Sequence, residues 1–148
     1  MLAALLICAV VGISDGDTLT ARCRAADTPA TIKVRLADID APERAQRFGQ
    51  RSRRHLSEIC WRKTARIKPV SIDQYGRTVG YVTCDRTDAG AEQVRAGMAW
   101  VAIYFASKNS GLYAIEREAR SARRGLWIDT APIAPWDWRV SAHTPSHP

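Results

Sequence analysis

The chain has little of what most transition-metal sites are built from. Its three histidines and four cysteines, in 148 residues, form no Cys-x-x-Cys spacing and no His cluster, so any metal would rest on oxygen ligands and be calcium or magnesium rather than zinc. The apolar start, Met1 to Ile13, is shorter than the roughly 20 residues a spanning helix needs and lacks the basic segment that opens an export signal. No internal repeat, low-complexity tract or linker divides the sequence, so 148 residues at 46% hydrophobic make one domain with its own core. Acidic residues are the minority. The formal net charge of +7 gives a positive field that favours polyanions such as nucleic acid or an anionic membrane face.

The apolar start runs straight into Asp15-Gly16, a hairpin-turn dipeptide, and then Thr18-Leu-Thr-Ala-Arg-Cys23. Residues 1–7 are thus either the stub of an export signal or the beginning of the first strand. An upstream extension of this stretch past about 18 residues would instead favour a membrane tether. A two-residue turn at Asp15-Gly16 sets Cys8 directly opposite Cys23. Counting makes that a hydrogen-bonded pair, and side chains approach more closely at non-hydrogen-bonded pairs, so a bulge would adjust the register. Cys60, near a helix end, and Cys84, at a strand end, form the second candidate pair. Two disulfides imply an oxidising compartment, periplasmic or extracellular; the alternative is four buried thiols in a cytosolic protein.

Further along, Ile32, Val34 and Leu36 alternate with Lys33 and Arg35 as a period-two strand that ends at Pro42. Ser52, His55, Leu56, Ile59 and Cys60 share one helical face. Lys63 to Val70 and Arg77 to Cys84 form a second hairpin, Asp88 opens a short helix that stops at Gly97, and Trp100 to Phe105 reads as another strand. A last helix turns Leu112, Ile115, Ala119 and Ala122 inward and ends at Gly125. The prolines around Trp136-Asp-Trp138 suggest an extended segment packed on the domain. Strands in a block, interrupted and followed by helices, give an α+β domain built on a small barrel. Its extent is 8–140, with 141–148 a flexible tail.

Five positions carry chemistry: Asp17, Arg35, Asp40, Glu43 and Arg77. Carboxylates can hold a hard divalent cation, one more can activate water, and two guanidiniums can neutralise the extra charge of a pentacoordinate phosphorane. Arginine suits the last task because its planar fork matches phosphate oxygens and keeps its proton.

These residues lie in Asp15-Gly-Asp-Thr18, Val34-Arg-Leu-Ala-Asp-Ile-Asp-Ala-Pro-Glu43 and Asp73-Gln-Tyr-Gly-Arg77. With Gly49-Gln-Arg-Ser52, Val94-Arg-Ala-Gly-Met-Ala99 and Gly125-Leu-Trp127, in this order and spacing, the chain resembles the thermonucleases typified by staphylococcal nuclease. The likeness runs from about Cys8 to Trp127 and points to the exported Gram-negative branch of that family. It implies a five-stranded OB-fold barrel with three helices and calcium-dependent cleavage of DNA and RNA, single strands preferred, to 3′-phosphate ends. It further implies Asp17, Asp40 and the Ala41 carbonyl as calcium ligands, Glu43 as general base, Arg35 and Arg77 as phosphate grips, and Tyr75 as a hydrogen-bond partner of a terminal phosphate. No obligate protein partner is called for, and a monomer is expected. Ile103 stands where the type member has a base-stacking tyrosine, with Tyr104 one place off on the opposite strand face, so base binding should be weaker by one to two decades, given about 1–3 kcal/mol per stacked base. The segment between Glu43 and Gly49 is short and keeps only Arg44 and Arg47 of a longer basic loop. The rival reading is an OB barrel that binds nucleic acid without cutting it, against which the complete set of acids and arginines argues.

Overall fold

The computed structural model, which describes residues 4–25 and 28–143, builds three consecutive antiparallel strands in the first third of the chain. These are β1 (Leu6–Asp15), β2 (Thr18–Ala25) and β3 (Thr28–Leu36). Cys8 and Val10 of β1 are buried while Ile7, Ala9 and Val11 face outward, the period-two pattern of a half-buried strand. After β4 (Ile39–Asp40) and helix α1 (Gly49–Cys60), a second hairpin pairs β5 (Thr64–Ile72) with β6 (Thr78–Cys84). β5 adds to the free side of β1, and β6 returns to lie parallel to β3 with Arg35 opposite Val79. The sheet β3-β2-β1-β5-β6 is thereby closed on itself, the expected five-stranded barrel. β7 (Thr87–Asp88) appends to β6, and β8 (Trp100–Val101) pairs with β4 outside the barrel. Leu19, Val34, Leu36 and Ile67 fill the interior, capped by Leu56 of α1 and Val94 of α2 (Ala89–Arg95).

The first hairpin reaches its expected pairing by an unexpected route. The turn is Gly16-Asp17 rather than Asp15-Gly16, because Asp15 pairs with Thr18. Two irregularities, between Ile13 and Asp15 and between Val10 and Gly12, then shift the register, and Cys8 again faces Cys23. Both disulfides are formed, Cys8–Cys23 and Cys60–Cys84, and no cysteine is left free among the described residues.

Three expectations are corrected. The strand from Trp100 to Phe105 stops at Val101, because its partner β4 has only two residues, and the Ala102 carbonyl then accepts from both Phe105 N and Ala106 N, turning the chain. Ile103, Tyr104 and Phe105 are consequently all exposed, and the argument from opposite strand faces lapses. α3 (Leu112–Ser121) ends before Ala122, which is exposed, and it buries the carboxylate of Glu116, whose Oε2 accepts from Val101 N at 2.6 Å. The segment after the 3₁₀ turn Gly125–Ile128 leads into a helix, α4 (Pro135–His143), so the described residues hold four α-helices rather than three. Pro135 at its first position and Asp137 in its first turn are favourable there, since proline lacks only an amide that would be unpaired anyway and the acid meets the positive helix end. Ser141 to His143, assigned to the tail, belong to this helix; residues 1–3 and 144–148 of the terminal segments lie outside the described residues.

Candidate active site

Asp17 sits in the β1–β2 turn, which is pinned against the helices. A Cβ on Gly16 would lie 1.8 Å from Ser52 Oγ and 2.9 Å from Ala41 Cβ, so only glycine permits this approach. From α2 the fully buried Gln93 donates through Nε2 to the Gly16 carbonyl at 2.6 Å and to the Ser52 carbonyl at 3.0 Å, while its Oε1 accepts from His55 Nδ1. Held this way, Asp17 Oδ2 accepts from Ala41 N at 2.7 Å and Oδ1 from Thr18 Oγ1 at 3.0 Å.

Asp40 comes from β4, whose backbone is paired with Trp100, and meets Asp17 around one guanidinium. Arg35 Nη2 lies 3.4 Å from Asp17 Oδ2 and 3.3 Å from Asp40 Oδ1. Its Nη1 donates to the Leu36 and Ile39 carbonyls, each at 2.8 Å. Arg35 thus donates three hydrogen bonds and adds an ion pair with Asp17, while Asp38 accepts from Tyr81 OH at 2.7 Å.

Glu43 follows Pro42 in the short loop before α1. Its backbone N donates to Gln46 Oε1 at 3.1 Å, and Gln46 Nε2 in turn donates to the Ile133 carbonyl at 2.7 Å. The start of α1 presses on this loop so closely that a Cβ on Gly49 would fall 2.0 Å from the Glu43 carbonyl oxygen. The carboxylate itself meets a residue that sequence reading assigned no role. Arg139, on α4, donates from Nη1 to Glu43 Oε1 at 2.6 Å and to Asp40 Oδ1 at 3.2 Å, and from Nη2 to Asp40 Oδ2 at 2.6 Å. The only trace of it in the sequence is Trp136 three residues earlier: in a helix the two share a face, and the Trp136 ring stands edge-on to Trp100 at 5.6 Å.

Arg77 and Tyr75 make their side-chain contacts within their own turn. Arg77 precedes β6, beside β3, but its Nε donates to Asp73 Oδ2 at 2.7 Å and its guanidinium lies over the Tyr75 ring, 5.2 Å from the centroid. Tyr75 is 73% exposed. Side-chain contacts therefore join Asp17, Arg35, Asp40, Ala41 and Glu43, whereas those of Arg77 and Tyr75 stay within the β5–β6 turn, although the β3–β6 register sets Arg77 two residues before Val79, the partner of Arg35.

The corner carries more acid than its arginines neutralise. Burial, reinforced by the neighbouring Asp17, pushes Asp15 up to about 7. Burial would raise Asp17 as well, but the Arg35 guanidinium and hydrogen bonds from Asp15, Ala41 and Thr18 outweigh it and hold that carboxyl below its ordinary value. At Asp40 burial prevails over Arg139 and Arg35, and the carboxyl stays above the ordinary value. Two buried carboxylates converging with hard oxygen donors, and a surplus of negative charge beside them, fit a divalent cation that prefers oxygen. Among the described residues no group of three or more acids, histidines or cysteines gathers on one point. Such a cation would therefore complete its shell with backbone carbonyl, water and substrate oxygens.

Residues 33–129 match the family described as staphylococcal nuclease homologue. A Shigella flexneri protein named micrococcal nuclease is 39% identical over 140 residues, covering 88% of this chain and 78% of its own. An uncharacterized endonuclease of Haemophilus influenzae is 41% identical over 133 residues, 89% of this chain and 72% of its own. The Escherichia coli protein ParB is 35% identical over 140 residues, covering 88% and 77%. Arg35, Asp40, Glu43 and Arg77 fall inside the family-matched segment; Asp17 precedes it and Arg139 follows it.

Proposed function

The chain belongs to the staphylococcal nuclease homologue family, and from that premise we propose that it is a calcium-dependent nuclease cutting DNA and RNA to 3′-phosphate ends. The observation that supports this most is the convergence of Asp17 and Asp40, from separate elements, on one nitrogen of Arg35, with Glu43 joined to Asp40 through Arg139. Asp17, Asp40 and the Ala41 carbonyl are the residues that would hold the cation. Bound there, it would supply Lewis-acid polarisation of a phosphoryl oxygen and part of the charge neutralisation.

The remaining steps belong to side chains. Glu43 is half-buried at the mouth of the corner and takes the proton of the attacking water, or orients that water, a contribution of about 10²–10⁴ in rate. Arg35, already oriented by its carbonyl and carboxylate partners, faces the scissile phosphate from the floor of the site. Arg77 is tied to Asp73 by a part-exposed ion pair, a kind worth about 0–1 kcal/mol, so it can leave Asp73 for a phosphate at small cost. There it grips the phosphorane and assists departure of the 5′ oxygen, while Tyr75 hydrogen-bonds a terminal phosphate. Single strands are the preferred substrate, the protein acts as a monomer, and the two disulfides support function in an exported, oxidising setting.

Purified protein incubated with single-stranded DNA, duplex DNA and RNA, in calcium or in EGTA, tests this beside Glu43→Gln. The expected result is calcium-dependent cleavage, 3′-phosphate ends, and a loss of at least about 10² in the variant. Cleavage that persists in EGTA, or a Glu43→Gln variant as active as the parent, overturns the mechanism. Binding to single strands with no cleavage under any condition points to the OB-fold binding module instead.

A further inference from the structure

Helix α4 carries no residue of the five-position set, yet it reaches the centre of the site. Two ties fix it there. Trp136 packs edge-on against Trp100 at 5.6 Å and against Tyr104 at 6.0 Å, and the segment leading into the helix is held by Gln46 Nε2 on the Ile133 carbonyl and by Arg47 Nε on Asp129 at 2.9 Å. One helical turn beyond Trp136, Arg139 spreads its fork over both oxygens of Asp40 and over Glu43 Oε1. Gln46 links the same loop to the same segment, because it also accepts from Glu43 N.

This placement has two consequences of opposite sign. A cation held by Asp40 must approach oxygens that the guanidinium occupies, and it meets a positive charge fixed beside them, so Arg139 competes with it. The same Nη1 that reaches Asp40 Oδ1 also donates to Glu43 Oε1, and that bond fixes the Glu43 carboxylate at the edge of the site. Without that bond Glu43, in a loop and half-buried, can turn to solvent.

We propose that Arg139 is a positioning residue of this site: it orients Glu43 for catalysis and serves as an intramolecular counter-charge that weakens cation binding at Asp40. The inference rests on the calcium-dependent reading above. A purely structural role would move both properties in the same direction, since a loosened site both binds and cleaves less well. The arrangement seen here moves them apart.

The test titrates calcium into the full chain by calorimetry, follows thermal unfolding in chelator, and measures kcat and KM on single-stranded DNA at saturating calcium. Parent, Arg139→Ala, Arg139→Lys and Trp136→Ala are compared. Arg139→Ala should bind calcium about tenfold more tightly, melt at lower temperature in chelator, and lose at least tenfold in kcat with KM little changed. Arg139→Lys, which keeps the charge but not the fork, should stay near the parent in calcium affinity while losing kcat. Trp136→Ala, which loosens α4 and keeps the guanidinium, should shift calcium affinity the same way as Arg139→Ala by a smaller factor. A parent that binds calcium while Arg139→Ala binds it equally or more weakly overturns the inference alone, and so does an unchanged kcat in Arg139→Ala. A parent that takes up no calcium removes the calcium reading, and this inference with it.

Discussion

Arg35 and Arg77 carry the same guanidinium, one on strand β3 and one just before its neighbour β6, and the fold treats them in opposite ways. Arg35 lies on β3 with its side chain 17% exposed, donating to two backbone carbonyls and to Asp40 and ion-paired with Asp17. Arg77 lies at the tip of the β5–β6 hairpin, where its ion pair and ring contact are both with residues of its own turn. The first is part of what holds the corner together; the second is held only by its own loop. Two residues that look equivalent as phosphate grips in a sequence thus differ in what their loss should do.

The largest expected effect is on the buried side. Arg35→Ala leaves Asp17 and Asp40 without their shared partner and should cost about 3–5 kcal/mol in denaturant unfolding measured in chelator. Removing the Cys60–Cys84 bridge by paired serine substitution should cost about 3 kcal/mol, since it releases a sequence separation of 24 residues tying α1 to β6. Titration of the denatured, unreduced parent should find no reactive thiol. Gln93→Leu strands the Gly16 and Ser52 carbonyls that the amide now satisfies, and should cost about 2 kcal/mol while lowering activity through the Asp17 turn.

Acid titration separates the same two regions by sign. Asp15, with a folded value of about 7 against an ordinary 3.8, holds its proton longer when folded, so its contribution is complete below 3.8 and is lost as pH rises through 7. Asp73 goes the other way. Burial raises it, but hydrogen bonds from Arg77 and Tyr75 together outweigh that and hold it below 3.8, so its contribution is present above that value and is lost as pH falls. Thermal melts in chelator across pH 4 to 8 should therefore decline toward neutrality, and Asp15→Asn should flatten that decline while Asp73→Asn leaves it intact. The smallest stability effect belongs to Arg77→Ala, under about 0.5 kcal/mol, although its cleavage rate should fall about 10²-fold. An Arg77 variant as destabilised as the Arg35 variant would erase the distinction.

What could be read from the sequence follows the range of the interactions. The strand alternation through Leu36, the helical face of Leu56, Ile59 and Cys60, and the close spacing of Arg35, Asp40 and Glu43 are local properties, and all stand in the structure. The Cys8–Cys23 pairing expected from a turn at Asp15-Gly16 holds although the turn lies one residue further on, because two register shifts restore it. Trp100 to Phe105 misled because an apolar run is a strand only where a partner continues, and β4 does not. Gln93 and Arg139 were invisible for another reason. Each gains its role from residues far away in the chain, Gly16 for one and Asp40 with Glu43 for the other, and neither leaves a period or motif that announces it.

The parallel seam between β3 and β6 also sets the order in which the molecule can be made. The Cys8–Cys23 hairpin is complete once its two strands exist, and it can collapse and oxidise while most of the chain is still to come. The seam cannot close until Gly80 meets Leu36, a long loop whose closing entropy is spent before any contact across it repays the loss. Arg139 arrives later still. As the chain emerges, then, an early hairpin waits for its barrel, the barrel waits for β6, and the acidic corner receives Arg139 only after every barrel strand has been made.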